Sequence, residues 1–446
     1  MQHGLLALVE YNRLVRPAEQ KVNLGGLFGR QVSSIGRKKG QGRLMAKKTI
    51  EQVDIASKRV LMRVDFNVPL DENGAISDDL RIRNALPSIR SVLERNGRLI
   101  LMSHLGRPDG KGYEPSLSLA PAADRLRELL DGVTVHFVAE DCIGEDARAA
   151  VDQLGDGEVL LLENLRFHAG EKKGDAQFAQ VLAAYGDVYC NDAFGTAHRA
   201  DASMVAVPKA MEGKPRVVGM LMDRELRYIS GTLEDPTRPF VAVLGGAKVS
   251  DKLGAIGNLL NRVDTILVGG AMAFTFLRAL GHTIGSSLVQ LGMLDQARDM
   301  LDDAGASKTD LLLPHDHVCG KELTRMTPVE VYEENIPEGW MGFDIGPKTV
   351  ERYGEILHDA RTIIWNGPMG AFETDPFDVG TNRVARVIAE ATDRGATSVL
   401  GGGDTAAAVQ TLGLADRYSH ISTGGGASVE MLEGKSFEAV ELLDDV

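Results

Sequence analysis

The sequence contains few cysteines and no long apolar run, and these two absences exclude several classes of protein. Its three cysteines are Cys142, Cys190 and Cys319, and their spacing fits neither a metal centre nor a redox motif. We therefore expect buried free thiols in a reducing compartment, and a cytoplasmic location. The apolar stretch from Ile266 to Leu277 has 12 residues and includes two glycines, so we predict no membrane-spanning helix.

Positive charge is also scarce, because 49 Lys and Arg face 63 Asp and Glu, giving a net charge of −14. Residues 1–44 hold eight of the basic residues and only two acidic ones, so the remainder is more acidic still. We expect no nucleic-acid surface, and a small anionic ligand would need a local basic pocket. Residues 1–44 are predicted to be a disordered extension, with Met45 resembling an ordinary start.

Several catalytic signatures are missing as well. The sequence has no Gly-x-x-x-x-Gly-Lys-Ser/Thr, His-Glu-x-x-His, Cys-x-x-Cys or Gly-x-Ser-x-Gly motif. Gly401, Gly403 and Ala406 match the dinucleotide-binding pattern formally, but no acidic residue follows about 20 positions later. A nicotinamide-dependent oxidoreductase would explain the glycines, although not the arginines that follow the predicted strands of the first half.

Length and composition indicate an α/β protein of two domains. A chain of 446 residues exceeds a single typical core, and 50 glycines with 43% hydrophobic residues fit many strand-to-helix turns. In the second half, four apolar runs each lead through glycines into a helical pattern. These stretches are Val241–Lys252, Ile266–Phe274, Val399–Val409 and Ile421–Met431. Bare backbone at a helix start binds anions, so the set indicates a phosphate-rich ligand, although tight turns alone also favour glycine.

In the first half, polar side chains follow predicted strands. The strand from Arg59 ends at Asp65 and Asn67, and a helix pattern beginning near Asp78 carries Arg81 and Arg83. The next three strands are followed by His104 and Arg107, by Arg166 and His168, and by His198 and Arg199. Guanidinium and imidazole groups at the carboxyl ends of parallel strands favour an oxyanion site, whereas a solvated surface would mix Arg with Lys.

The middle of the chain predicts a connector. Gly219–Ile229 has an amphipathic helical pattern that we expect to end at Gly231.

Beyond the connector, Lys248 and Lys252 are placed at i and i+4 on one face of a starting helix, a spacing that costs roughly 0.5–1 kcal/mol unless an anion binds there. Asp404 follows three glycines and is placed either to hold a hard cation or to cap a helix.

Two later segments, Gly339–Thr349 and Ile363–Glu373, are predicted to be strand-end loops. Each contains one motif of a collinear set of eight, which runs Arg63–Pro69, Ser103–Pro108, Asp192–Arg199, Gly245–Lys252, Asp344–Thr349, Trp365–Gly370, Gly401–Thr405 and Ser422–Ser428. Together the eight motifs resemble the phosphoglycerate kinase family, from about residue 45 to residue 436.

The resemblance implies an α/β fold of two Rossmann-like parallel-sheet domains joined by a hinge helix. The implied ranges are 45–218 for the substrate domain, 219–238 for the hinge, 239–430 for the nucleotide domain and 431–446 for a tail returning to the first domain. It also implies Mg²⁺-dependent phosphoryl transfer between 1,3-bisphosphoglycerate and ADP, giving 3-phosphoglycerate and ATP. We expect a monomer, because the sequence has no heptad repeat.

The family's functional residues carry over onto matching positions. Those implied to bind the substrate are Asp65, Phe66, Asn67, Arg81, His104, Leu105, Gly106, Arg107, Arg166 and Arg199. Those implied to bind the nucleotide are Gly246, Ala247, Lys248, Lys252, Gly270, Gly342, Asn366, Glu373, Gly402, Gly403, Asp404 and Thr405, with Asp404 also on the metal. Arg81, Lys248 and the amides around Gly425 are implied to act on the transferred phosphoryl group.

Three positions depart from the family pattern. Asp201 stands where the family has a second histidine, which places an acid near the phosphate clamp. Arg224 replaces a lysine in the connector, and residues 436–446 differ from the usual tail.

A third hypothesis, a non-enzymatic hinged binding protein, would explain two domains and an arginine pocket but needs an export signal that residues 1–44 do not clearly provide.

Overall fold

Six parallel strands form the first sheet of the computed structural model, which describes residues 46–446. The prediction for residues 1–44 lies outside the described residues. The strands are β1 (Arg59–Val64), β2 (Arg98–Met102), β3 (Val135–Phe137), β4 (Val159–Leu161), β5 (Val188–Asp192) and β6 (Arg216–Val218). They lie in the order β3-β4-β2-β1-β5-β6. Leu61, Ile100 and Leu160 are in register and buried, as expected where helices cover both faces of a parallel sheet.

Helices of the first half cover this sheet. They are Leu80–Leu93, Ala120–Leu129, Glu145–Gln153, Ala169–Lys173, Ala176–Ala183 and Ala206–Ala210. Their ends follow local chemistry. The carboxylate of Asp175 accepts a hydrogen bond from the amide of Phe178 (2.8 Å), and Gly174 ends the preceding helix at φ 64°.

The second half contains one parallel and one antiparallel sheet. Its strands are β7 (Phe240–Leu244), β8 (Thr265–Val268), β9 (Asp310–Leu312), β10 (Asp316–Gly320), β11 (Val329–Glu333), β12 (Met341–Ile345), β13 (Thr362–Asn366), β14 (Thr397–Gly401) and β15 (His420–Ile421). The parallel sheet has the order β15-β14-β13-β7-β8-β9 and the antiparallel sheet the order β11-β10-β12. The helices are Leu253–Leu259, Met272–Ala279, Leu294–Ala306, Pro347–Asp359, Val379–Asp393, Gly403–Thr411 and Gly426–Leu432. The predicted α/β fold with two parallel sheets is confirmed.

One local prediction was wrong, because Gly339–Thr349 is not simply a strand-end loop. It contains β12, which pairs with β10 in antiparallel register, as in the pair Gly320 and Met341. The strand has no continuous apolar run, because Gly342 and Asp344 lie between its apolar residues, and Phe343 in its middle is only half-buried. Local composition therefore did not mark this segment as a strand.

The helix Met220–Glu234 connects the two parallel sheets. We expected it to end at Gly231, but it continues to Glu234, because Gly231 keeps helical backbone rather than turning left-handed. The buried carboxylate of Asp192 caps its start, accepting hydrogen bonds from the amides of Leu221 (2.9 Å) and Met222 (3.1 Å).

The last residues lie against the first sheet. After a short helix, Glu438–Glu441, the carboxylate of Asp444 accepts a hydrogen bond from the amide of Arg216 in β6 (2.9 Å). Lys47 forms an ion pair with Asp445 at 2.7 Å. The described chain therefore begins and ends beside the same strand.

Two observations concern the composition of the chain. All three cysteines are free and buried, as predicted. Among residues 46–446, no helix combines the length and the apolar character that crossing a membrane requires.

Candidate active site

The predicted substrate residues follow the carboxyl ends of the first sheet. Asp65, Phe66 and Asn67 follow β1, and His104, Leu105, Gly106 and Arg107 follow β2. Arg166 lies in a 3₁₀ turn after β4, Arg199 follows a 3₁₀ turn after β5, and Arg81 is in the first turn of the helix Leu80–Leu93. Because parallel strands end at one edge of the sheet, the fold brings these residues to the same side.

Asp65 is the centre of the contacts at this edge. Its carboxylate accepts a hydrogen bond from Arg81 Nη1 at 2.7 Å, and its Oδ1 lies 3.9 Å from Nδ1 of His104. Asn67 is held nearby, since its Oδ1 accepts a hydrogen bond from the amide of Gly106 at 2.7 Å. The Phe66 ring is buried, and its amide donates to Ser103 Oγ at 2.8 Å. Backbone and side-chain bonds thus fix the polar groups before any ligand binds.

Arg166 is buried and pairs with the unusual Asp201. Its Nη1 donates to the carbonyl of Gly106 at 2.8 Å, and its Nη2 lies 3.4 Å from Asp201 Oδ2. Its Nε is buried and has no hydrogen-bond partner among residues 46–446. Burial lowers the pKa of Arg166, and Arg199 lowers it further, while Asp201 raises it. The pair places a negative charge directly beside a predicted phosphate-binding guanidinium.

The other predicted arginines are more open. Arg107 is exposed, and Arg199 is half-buried. Burial is the main cause that lowers the pKa of His104 well below its ordinary value, and the charges of Arg63, Arg166, Arg199 and Arg81 add to the shift. His104 is therefore neutral at the centre of a strongly positive site.

The histidines that follow β4 and β5 behave differently. His168 Nε2 donates a hydrogen bond to Asp141 Oδ1 at 2.8 Å, and its ring packs against Phe178, with ring centroids 5.2 Å apart. It does not join the arginine cluster, because the turn after Arg166 directs the two side chains to different neighbours. The ring of His198 lies 3.8 Å from where a Cβ on Gly426 would be, so it faces the second half of the chain.

The predicted nucleotide residues lie at the corresponding edge of the second parallel sheet. Gly246, Ala247 and Lys248 follow β7, Gly270 follows β8, Asn366 ends β13, and Gly402 to Thr405 lead from β14 into a helix. Gly342 lies within β12, Glu373 is exposed in the loop after β13, and Gly425 precedes the helix Gly426–Leu432.

Two of these glycines are required by close backbone approach. Gly270 has φ 67°, and a Cβ there would lie 2.5 Å from the amide nitrogen of Gly246. A Cβ on Gly342 would lie 2.2 Å from the ring of Phe274. The glycines therefore let two turns and an aromatic ring pack together at this edge, with backbone left uncovered.

The two lysines do not share a helix face, so that prediction was wrong. Lys248 has extended backbone before the 3₁₀ turn Val249–Asp251, and the α-helix begins only after Lys252. The ammonium of Lys252 instead donates to the side-chain carbonyl of Asn366. Burial lowers the pKa of Lys252, and the carboxylates of Asp251 and Asp404 oppose that shift.

Asn366 and Thr405 join this lysine to the turn after β14. Thr405 is buried, and its Oγ1 accepts a hydrogen bond from the amide of Gly367 at 2.7 Å. The side-chain amide nitrogen of Asn366 is buried and lacks a partner among the described residues. Such an orphaned donor fits a site that completes its hydrogen bonds when an anion is present.

Asp404 is an exposed carboxylate in the first turn of the helix Gly403–Thr411. The capping alternative was wrong, because Gly402 is the N-cap residue and no side chain caps this helix. A single carboxylate suits Mg²⁺ that takes its other ligands from phosphates and water.

The turn after β15 brings the two edges into contact. A Cβ on Gly424 would lie 2.3 Å from the ring of Phe194, which follows β5. A Cβ on Gly195 would lie 3.0 Å from Asp65 Oδ2 and 3.7 Å from the carbonyl oxygen of Thr423. Glycine at 424 and 195 thus lets the second-sheet turn approach the Asp65 group closely.

The connecting helix fixes that same turn. Its buried Glu225 accepts hydrogen bonds from the amide of Thr423 (2.8 Å) and from its hydroxyl (3.1 Å), and it bonds His420 Nε2 at 2.8 Å. Sequence reasoning did not identify Glu225 or the fully buried Arg63 as parts of the site. The only signal for Arg63 is a charged residue inside the apolar strand β1.

The chain is similar to known proteins over most of its length. A family model described as "Phosphoglycerate kinase" matches residues 50–435. The chain is 56% identical to a phosphoglycerate kinase of Rhodopirellula baltica and 52% identical to one of Prosthecochloris aestuarii, each match covering 90% of this chain and 100% of the relative.

Solved structures give the same result. The phosphoglycerate kinase of Coxiella burnetii superposes with a TM-score of 0.82 at 37% identity, over 89% of this chain and 98% of that chain. The enzyme of Pyrococcus horikoshii gives a TM-score of 0.74 at 33% identity with the same coverage. The chain therefore belongs to the phosphoglycerate kinase family.

Proposed function

We propose that the two sheet edges divide the family's reaction between them, the first binding the glycerate substrate and the second the magnesium nucleotide. The reaction is the reversible transfer of the acyl phosphate of 1,3-bisphosphoglycerate to ADP, giving 3-phosphoglycerate and ATP. Family membership supports the activity itself, and the positions of the named residues support the division.

At the first edge, the guanidinium groups bind the phosphate that is not transferred. Arg107, Arg166 and Arg199 supply charge and fork-shaped donors, which suit a phosphate dianion. Asp65 and Asn67 hold the glycerate end of the substrate, with Phe66, Leu105 and Gly106 as backbone support.

At the second edge, the nucleotide lies over uncovered backbone. Lys252 and the turn from Gly402 to Thr405 bind its phosphates. The unpartnered side-chain amide of Asn366 donates a hydrogen bond to the same ligand. Gly246, Ala247, Gly270, Gly342 and Glu373 form the remainder of the nucleotide site. Mg²⁺, when bound by Asp404 and the phosphates, neutralises part of their charge.

The transfer needs no general base, because the attacking oxygen is already ionised in either direction. The bond from the acyl oxygen to phosphorus breaks as a bond from the terminal ADP oxygen to phosphorus forms. Catalysis then depends on alignment and on stabilising charge at the equatorial oxygens. We assign this role to Arg81, Lys248 and the amides near Gly425.

One observation carries the proposal: the Gly424 turn of the second half lies against Phe194 and near Asp65 of the first. A phosphoryl group held by that turn would lie beside the residues that bind glycerate. The two halves thus supply one reaction centre.

Replacement of Arg81 by alanine tests this arrangement. We expect turnover in the direction of ATP-dependent 3-phosphoglycerate phosphorylation to fall by about three orders of magnitude, as when a transition-state guanidinium is lost. A coupled assay measures kcat and KM for both substrates.

The matched control is Arg83→Ala on the same helix. Arg83 is half-exposed and forms an ion pair with Asp79 at 2.8 Å, so its loss should leave kcat within about twofold. Unchanged turnover in Arg81→Ala would remove Arg81 from the reaction.

We also infer that the enzyme is monomeric and cytoplasmic. Its substrate domain covers residues 45–218, its hinge 219–238, its nucleotide domain 239–430 and its tail 431–446. The contacts of Asp444 with Arg216 and of Lys47 with Asp445 support the return of the tail.

A further inference from the structure

Arg63 lies beneath the substrate site and has no exposed surface. Its Nε donates to Ser203 Oγ at 2.8 Å, and its Nη1 donates to the carbonyl of Val64. Ser203 in turn donates to the buried carboxylate of Glu171 at 2.6 Å. A hydroxyl thus connects a buried cation to a buried anion, and both charges are compensated without direct contact.

The remaining arm of Arg63 meets the histidine of the substrate site. Its Nη2 lies 3.1 Å from Nδ1 of His104. A guanidinium can only donate hydrogen bonds, so Nδ1 must be the acceptor and carries no proton. Asp65 Oδ1 is 3.9 Å from the same nitrogen, which is too far to hold a proton there instead.

We propose that Arg63 is a positioning residue that fixes His104 as the neutral tautomer protonated on Nε2. The ring therefore presents an N–H donor, and not a lone pair, to an anionic group of the substrate. This inference rests on the proposed role of His104 in substrate binding. Within residues 46–446, Nε2 makes no hydrogen bond, so this donor is available to a ligand.

The tautomer matters because only a proton on Nε2 can be donated to an anionic group of the substrate. With the proton on Nδ1, the unprotonated Nε2 would direct its lone pair at an oxyanion and repel it. The low pKa of His104, which burial and four arginines cause, prevents the doubly protonated ring from solving this problem. Arg63 thereby converts a neutral imidazole into a donor without adding a titrating charge.

Nitrogen NMR of ¹⁵N-histidine-labelled protein tests the tautomer without reference to activity. The full chain has 10 histidines, and the His104 signals are assigned by comparison with His104→Gln. We expect the Nδ1 signal in the range of an unprotonated ring nitrogen and the Nε2 signal in the range of a protonated one, at neutral pH. A protonated Nδ1 in the wild-type protein would overturn the inference, even if the enzyme were fully active.

Substitution of Arg63 tests the cause. In Arg63→Met we expect part of the His104 population to carry its proton on Nδ1, and KM for 3-phosphoglycerate to rise about tenfold or more, as for loss of a charge-assisted hydrogen bond. Arg63→Lys keeps a charged donor and should restore part of both effects. The matched control is Arg95→Met, which removes a half-buried guanidinium bonded to the carbonyls of Val53 and Ile50 and should leave the His104 signals unchanged. An unchanged tautomer in folded Arg63→Met would show that Arg63 does not set it.

Discussion

At the scale of single residues, Asp201 shows how one side chain changes an anion site. Its carboxylate is buried and lies 3.4 Å from Arg166. If the substrate phosphate binds Arg166 as proposed, it must share that guanidinium with an anion already present. The acid also repels a phosphate dianion at short range, where screening is weak.

Replacement of Asp201 by asparagine should therefore strengthen substrate binding. We expect KM for 3-phosphoglycerate to fall by about two- to fivefold, with kcat little changed, because a hydrogen-bonded charge interaction of modest size is removed. Steady-state kinetics at fixed ATP measures both constants.

Asp201→His introduces the residue that the family has at this position and should act in the same direction. Thermal denaturation of both variants shows whether Arg166 tolerates the loss of its partner. A higher KM in a stably folded Asp201→Asn would mean that the carboxylate holds Arg166 in place for the substrate.

The position of the proposed substrate residues at the sheet edge could be predicted, because it depends only on where each strand ends. A side chain directly after a parallel strand lies at the ligand edge of the sheet, and Asp65, His104 and Arg166 all obey this rule. Arg63 could not be found this way, since it lies inside β1 and points into the protein. The grouping of His168 failed because position after a strand does not determine side-chain direction beyond the first few residues.

At the scale of elements, the connecting helix depends on a buried acid at its start. Asp192 receives two backbone hydrogen bonds from that helix, while burial raises its pKa to about 6 from 3.8. A raised pKa in the folded state means that the protonated carboxyl favours folding. Its contribution to stability is fully present below pH 3.8 and is lost as the pH rises through about 6.

Asp192→Asn should reveal how much folding stability Asp192 loses as the pH rises. The amide oxygen can still accept from the helix, but the side chain does not titrate. We expect the variant to gain stability relative to the wild type as the pH rises from about 4 to 7, by up to about 3 kcal/mol. Denaturation at a series of pH values measures the difference.

Asp175→Asn is the control, because Asp175 caps an exposed helix start. It reports what the same chemical change does at a cap without burial. A stability difference between Asp192→Asn and the wild type that stays constant over the same pH range would contradict the assignment.

Elements with a continuous apolar run were predictable, whereas strands of mixed composition were not. The apolar runs of β1 and β13 predict buried strands without other information. The antiparallel strands β10, β11 and β12 each have charged residues or glycine beside their apolar residues, so local pattern carries little information about them. Likewise, Gly231 was given too much weight as a helix stop, since glycine ends a helix only when its backbone turns left-handed.

At the scale of the whole molecule, the acidic residues of the outer strand β11 disfavour self-association. β11 is at the edge of its sheet, so its backbone could pair with another copy, and Val329 and Val331 on it are exposed at 41% and 44%. Glu330 and Glu333 lie on the same strand, and antiparallel pairing of two copies would bring like charges together. Light scattering should give the mass of one chain, 48.0 kDa, from dilute to concentrated solution. A mass that doubles with concentration would contradict the proposed monomer.

The route of the chain adds a mechanical consequence. It passes from the first sheet to the second through the helix Met220–Glu234, and it returns when Asp444 and Asp445 bind beside β6. A single link would leave each half free to twist about it in any direction. Two links define one line, so we expect any relative motion of the two halves to be a rotation about it, which would bring the two sheet edges together along a single arc.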